Sequence, residues 1–409
     1  MSTITAASRE DSMVDRLRRW AAGETPGPWG IILMPTNRCN QRCKMCWQRW
    51  VESESGRIDY AEVSDDRLLR LVDEASALGV REWTLTGGGE PLTRGDFVMR
   101  LCERIRELGM NGGMHTNGIL LNRDRIERLI RIGWDCVHFS LDGPTPEIND
   151  GIRSNGAFDR ACAHIRVMAE LKRAHGADRP ATTINTVLTN TNVGCLEDMV
   201  RLTRELECTA GLFVSGLVVH DAASAEYRLS EEQERALPEH LHQAIALADR
   251  LGVPHNLRTF LPENPGRLSA RVSAGPFINA TCFEAWLTAT IVPDGRVGPC
   301  CMSWDKDADT INDKTLQEVW VGPYLQEVRR ALIAHRGLPP YCQSCHSYIA
   351  VRTAEFRAGL RAIEWAQWPE MGWPQRLSLL SRRFSANLRE RGLASTLRRA
   401  WEWLCVRFR

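Results

Sequence analysis

Lysine and arginine number 52 and aspartate and glutamate 51, so the 409-residue chain has a formal charge of only +1. It therefore lacks the overall cationic field that favours nucleic acid, and no nucleic-acid partner is expected. It also lacks any apolar run approaching the ~18 residues that span a bilayer. Residues 1–23 lack the apolar centre of a secretory signal and instead carry Arg9, Glu10, Asp11, Asp15, Arg16, Arg18 and Arg19. The expectation is a cytoplasmic protein in a reducing compartment. With 43 % hydrophobic and 25 % charged residues the chain is neither disordered nor fibrous, and its length suits two or three domains. What it has in excess is cysteine, 14 in all, and in a reducing compartment these are thiols and metal ligands, not a disulfide framework.

Six short apolar stretches, at 30–34, 82–86, 113–116, 136–141, 183–188 and 211–215, alternate with segments of helical period at 65–78, 96–108, 124–132, 158–173 and 196–206. Such alternation builds a parallel sheet with helices packed on it and functional loops at the C-terminal strand ends. Eight repeats would close a barrel; six predict an α/β fold, a partial (β/α)6 TIM-like barrel over residues 29–220, after an N-terminal segment 1–28. A connector follows at 221–280, with one helix at 231–250 and then a stretch punctuated by Pro and Gly. Residues 281–350 form a small Cys-rich module that opens with a β-hairpin turning at Pro293-Asp294-Gly295-Arg296. The rest, 351–409, is a helical basic extension. Nine Arg against two Glu give its residues 376–409 a charge of +7 and leave −6 on the remainder.

Cys39, Cys43 and Cys46 stand as C-x3-C-x2-C just after the first strand. Three thiolates on one short loop can hold three irons of a cubane cluster and leave the fourth open to a ligand. A structural zinc is the alternative, although it wants a fourth Cys or His nearby and none lies between Cys46 and Cys102. The second strand ends in Thr86-Gly87-Gly88-Gly89-Glu90-Pro91, where glycine lets backbone approach a ligand closely.

These two motifs, in this order and at this separation, resemble the radical S-adenosylmethionine (SAM) enzymes. The resemblance spans about residues 29–348 and implies a [4Fe-4S] cluster on Cys39, Cys43 and Cys46 whose unique iron chelates SAM. An electron from an external reductant such as flavodoxin or ferredoxin then yields a 5′-deoxyadenosyl radical that abstracts hydrogen. By the same resemblance the SAM amino group falls on Gly88, Gly89 and Glu90, and the ribose and carboxylate on Ser140 and Asp142, with Asn117 as a further candidate. Arg153 would pair with the SAM carboxylate, and Met45, where the family usually has an aromatic residue, would meet the adenine through its backbone. Turn or capping roles for Asn117 and Arg153 are the alternative.

Cys282, Cys300, Cys342 and Cys345 resemble the twitch form of the SPASM extension, which binds an auxiliary [4Fe-4S] cluster. Four thiolates saturate such a cluster and suit it to electron transfer. A four-cysteine zinc site has the same ligand count and is the alternative. Cys102, Cys136, Cys162, Cys195, Cys208 and Cys405 read as packing residues, whereas Cys301, beside a ligand, is a candidate hydrogen donor. His115 and His138 read as hydrogen-bonding groups of the barrel interior.

The expected reaction is oxidation of a small polar molecule, such as a sugar, an aminocyclitol or a lipid-linked glycan, with the electron leaving through the auxiliary cluster. Redox-neutral epimerisation and peptide maturation are the alternatives. The stretch before Cys39 is short for the leader-binding domain of many peptide-modifying members, and for a cobalamin domain. In the tail, Arg382, Arg383, Arg389, Arg391, Arg398 and Arg399 beside Trp401 and Trp403 fit either an interfacial helix making peripheral membrane contact or a basic helical pair packed on the acidic body.

Overall fold

A computed structural model describes residues 6–154, 156–219, 221–261, 282–303, 305–334 and 337–343, with isolated positions from 363 to 397. Helix α1 (Ala6–Ala21) leads into β1 (Gly30–Leu33), and α2 (Trp47–Ser55) and α3 (Asp65–Ala77) separate it from β2 (Glu82–Leu85). Then come α4 (Asp96–Glu107), β3 (Asn111–Thr116), α5 (Arg123–Arg131), β4 (Cys136–Ser140), α6 (Pro146–Ile152), α7 (Ala157–His175), β5 (Ala181–Leu188), α8 (Leu196–Glu205) and β6 (Gly211–Gly216). The chain continues through α9 (Ala222–Ala225), α10 (Glu231–Leu251), α11 (Glu284–Leu287), the hairpin β7 (Thr288–Ile291) and β8 (Val297–Gly298), α12 (Leu316–Trp320), α13 (Pro323–Ala334) and α14 (Pro340–Gln343).

The strands form one sheet in the order β6-β5-β4-β3-β2-β1-β7-β8, in which every neighbouring pair is parallel except β7 and β8. Local helix signals agree with this path: Ser64 caps α3, Asn122 caps α5, and Ser230 with Gln233 forms a capping box on α10. The hairpin at the start of the Cys-rich module is not a separate sheet. Its first strand pairs in parallel with β1, Gly30 opposite Thr288 and Leu33 opposite Ile291. An edge at β1 would leave a row of backbone groups unpaired, and β7, with Ala289, Thr290 and Ile291 buried, covers it.

Alternation along the strands gives the sheet two unlike faces. Leu33, Trp83, Leu85, Met114, Val137, Phe139, Ile184 and Val214 are buried in one core under the helices. The opposite face carries Thr84, Gly113, His115, Cys136, His138, Ser140 and Asn185, all partly exposed, and Phe213, exposed at the β6 edge. This is the open and largely polar lumen of a partial barrel.

The connector's helix α10 joins the barrel core through Leu237, Leu241, Ala244, Ile245 and Ala248. Helix α1, in the N-terminal segment 1–28, belongs to a second core. There Met13, Val14 and Leu17 pack with Trp286, Val328, Leu332 and Cys342. Arg329 ties this core together: its buried guanidinium lies 4.6 Å from the Trp20 ring and 4.4 Å from the Trp320 ring, and donates to Ala285 O and Trp320 O, both at 2.8 Å.

Candidate functional site

The ends of β1 and β2 bring the cysteine loop and the glycine turn into contact. Cys39 is exposed, while Cys43 and Cys46 are half-buried. Cys46 stands at the N-terminus of α2, whose first amides favour a negative sulfur. Lys44 N–H donates to Ile152 O at 2.9 Å and moors the loop to α6. Desolvation pushes all three thiols up, Cys39 to about 11, so their deprotonation calls for a neighbouring positive charge such as iron. Among the described residues no three His, Cys, Asp or Glu side chains converge on one ion. Thiolates that each take a separate iron of a cubane need not do so.

Only glycine fits the turn beside this loop. A Cβ on Gly88 would stand 2.0 Å from Asn37 Oδ1, and one on Gly89 would stand 2.1 Å from Arg38 O. The close approach lets Gly89 N–H donate to Thr36 O at 2.8 Å and Glu90 N–H donate to Arg38 O at 2.9 Å. Gln48, which the sequence reading passed over, completes the clamp: its Nε2 donates to Asn37 O at 2.6 Å and to Gly88 O at 2.9 Å. Met45 packs with Ile152 and Leu217 in a small apolar cluster.

Glu90 is almost fully buried. Its Oε1 accepts from Thr116 Oγ1 at 2.8 Å and Leu92 N–H at 3.2 Å, and its Oε2 accepts from Asn117 N–H at 2.8 Å. Burial pushes its carboxyl up, against the pull of these donors. Asn117 Nδ2 donates to Asn40 Oδ1 at 2.8 Å. Glu90 and Asn117 thus lock the ends of β2 and β3 to the cysteine loop.

Asp142 and Arg153, which the resemblance assigns to SAM, are paired with each other. Arg153 Nε lies 2.7 Å from Asp142 Oδ2, and the carboxylate is wholly buried. Asp142 Oδ1 also accepts from Val187 N–H at 2.8 Å, while its backbone is held by Asn149 and Asn192. The pair ties the residue that follows α6 to the loop after β4. Ser140 faces the lumen opposite Asn185.

Within the lumen the rings of His115 and His138 stack at 4.3 Å, and Asn185 Nδ2 donates to His115 Nδ1 at 3.0 Å. Burial lowers His115 to about 3, helped by His138, and lowers His138 to about 4, so both are neutral at ordinary pH. They stand opposite each other on the adjacent strands β3 and β4, with hydrogen-bond partners inside the barrel.

In the second module Cys342 is buried in the α1 core, Cys282 packs beside it, and Cys300 follows β8. Cys345 and Cys405 lie outside the described residues, as do Arg382, Arg383, Arg389, Arg391, Arg398, Arg399, Trp401 and Trp403 of the tail. Ser303 N–H donates to Cys300 O at 3.0 Å, and the Tyr324 and Tyr341 hydroxyls stand 3.2 Å apart. Cys301 is exposed.

The chain belongs to the radical SAM superfamily, whose family model matches residues 33–203, and it carries an iron–sulfur cluster-binding SPASM domain at residues 282–346. SAM, a SAM-binding [4Fe-4S] cluster and an auxiliary cluster are accordingly its cofactors. It is 31 % identical over 329 residues to the PqqA peptide cyclase of Ruegeria pomeroyi, covering 78 % of this chain and 80 % of that protein. It is 34 % identical over 167 residues to the mycofactocin maturase MftC of Mycobacterium ulcerans, covering 41 % of this chain and 42 % of that one. In fold it is similar to SuiB of Streptococcus suis bound to S-adenosylmethionine, with a TM-score of 0.59, 15 % identity and coverage of 87 % and 84 %.

Proposed function

We propose that this chain modifies a peptide by radical SAM chemistry and oxidises it. The observation that carries this reading is the likeness to a peptide cyclase across both the barrel and the cluster module. It displaces the small polar molecule expected from sequence. That expectation rested on the resemblance to the twitch form, and the short stretch before Cys39 weighed against the peptide alternative, yet the likeness to a protein named for a peptide substrate covers 80 % of that protein.

Cys39, Cys43 and Cys46 would hold the SAM-binding cluster, and Cys282, Cys300, Cys342 and Cys345 the auxiliary one. When bound, the reduced first cluster and SAM supply a 5′-deoxyadenosyl radical. The chain's own contribution is placement. Gln48, Glu90 and Asn117 fix the cysteine loop at the C-terminal ends of β1, β2 and β3, in the sheet whose lumen face carries His115, His138, Ser140 and Asn185. These four side chains offer neutral donors and acceptors, which suits an extended peptide whose backbone amides need partners. The exposed Phe213 at the β6 edge offers an apolar face to a side chain. Oxidation of the peptide would take from it one hydrogen atom, one proton and one electron, and an auxiliary cluster held by Cys282, Cys300, Cys342 and Cys345 would supply an acceptor for the electron.

The test uses anaerobically reconstituted protein with SAM, dithionite and the low-molecular-mass fraction of the producing cells. Stimulation of 5′-deoxyadenosine formation that disappears when the fraction is first digested with protease supports a peptide substrate. A protease-resistant stimulant rejects it.

A further inference from the structure

Gln41 lies between the first two cysteines of the C-x3-C-x2-C loop and is only 5 % exposed, while Asn40 and Arg42 on either side of it are exposed. Its backbone N–H donates to Cys39 Sγ at 3.4 Å, and its side-chain Oε1 accepts from the Cys43 thiol at 3.8 Å. One residue therefore touches two of the three sulfurs. Cys46 takes its hydrogen bond from the Gln48 backbone, and the Gln48 side chain is committed to Asn37 O and Gly88 O. Gln41 Nε2 is buried with no hydrogen-bond partner among the described residues. An amide buried with its donors unpaired costs free energy, which calls for a partner that is present only when the loop is occupied.

Ligation changes what this carboxamide meets. A sulfur bound to iron is a thiolate with lone pairs and no proton to give, so Oε1 would face it acceptor to acceptor. A half-turn of the amide exchanges its oxygen and nitrogen without changing the outline of the side chain. It puts an Nε2–H on Cys43 Sγ in a charge-assisted bond and leaves one amide atom without a partner, as before. We propose that Gln41 tunes the SAM-binding cluster, its backbone N–H on Cys39 Sγ and its carboxamide N–H on Cys43 Sγ together raising the cluster's reduction potential. Donors on the ligand sulfurs stabilise the reduced form, which carries one more negative charge, more than the oxidised form. Gln41 thereby sets how strong an external reductant the enzyme needs. This role rests on Cys39, Cys43 and Cys46 as the cluster's ligands and is independent of whether the substrate is a peptide.

The anaerobically reconstituted full-length holoprotein is titrated potentiometrically and followed by electron paramagnetic resonance, the SAM-binding cluster being the signal that changes when SAM is added. Gln41→Met keeps the length of the side chain and removes both of its N–H groups. Expected is full iron content with the midpoint of that signal moved to more negative potential, a fall of about tenfold in the equilibrium constant for reduction, or about 59 mV for one electron. The auxiliary signal should keep its midpoint. The parent protein labelled with 15N at the glutamine amides should show a 15N coupling to the SAM-responsive signal in pulsed resonance, a measurement that needs no variant. An unchanged or more positive midpoint in Gln41→Met, or no 15N coupling in the parent, overturns the proposal. Cys43→Ala should lose the SAM-responsive signal altogether. Its retention would refute the ligand assignment itself, a failure distinct from an unchanged midpoint.

Discussion

Replacing Asp142 by alanine distinguishes a structural ion pair from a SAM contact. The Asp142 carboxylate has no exposure and the Arg153 side chain only 10 %, with Nε and Oδ2 2.7 Å apart. Removing one partner of such a buried pair strands the other charge, at a cost of about 3–5 kcal/mol. Val187 N–H would lose its acceptor as well, adding about 1 kcal/mol. Arg153→Leu alone should also destabilise. The double variant should cost less than the sum by about 2 kcal/mol, because no charge is then left unpaired. Urea unfolding followed by circular dichroism, without SAM, measures all three. Were the two residues free to hold SAM instead, the protein without SAM would lose less than about 1 kcal/mol in each single variant and the two losses would add, since exposed charges contribute little. That result would refute the assignment.

Gly89→Ala forces a methyl to within 2.1 Å of Arg38 O, so the cysteine loop must move; reconstituted iron should fall by about half, one cubane of the two, as read by iron assay. Arg329→Leu leaves Ala285 O and Trp320 O without their donor and empties the space between two indoles, at about 2–4 kcal/mol in urea unfolding. His115 and His138 titrate near 3 and 4, below the ordinary 6.5, so the folded state resists protonation that the unfolded chain accepts. Their contribution to stability is complete above about pH 6.5 and is lost as pH falls towards 4 and then 3. His115→Gln should show a smaller drop in urea midpoint between pH 7 and pH 5 than the parent protein. An unchanged drop would count against a buried neutral pair.

Hydrophobic periodicity located the six barrel strands because each is a short apolar run between turn residues, and the described strands begin and end within a few residues of those runs. The parallel pairing of β7 with β1 was not legible, since a turn such as Pro293-Asp294-Gly295 signals its local hairpin but not a partner more than 250 residues away. Helix α1 was overlooked because its charged residues hide the buried stripe of Met13, Val14 and Leu17. At the site, cysteine spacing and the glycine turn were readable as motifs with a steric reason. Gln48 was not, although a polar residue two positions after Cys46 and facing the glycine turn is the signal that could have found it. Asp142 and Arg153 were singled out as polar residues on strand-end loops, yet which partner each would take depended on the fold of α6.

The central claim, a peptide as the hydrogen donor, is met most directly by isotope transfer. The protease-sensitive fraction of cells grown on deuterated amino acids is supplied to the reconstituted protein with SAM and dithionite, and the 5′-deoxyadenosine is analysed by mass spectrometry. The expected result is deuterium in 5′-deoxyadenosine together with a peptide lighter by two hydrogens for each molecule formed. Deuterium transferred only from a protease-resistant small molecule would contradict the account.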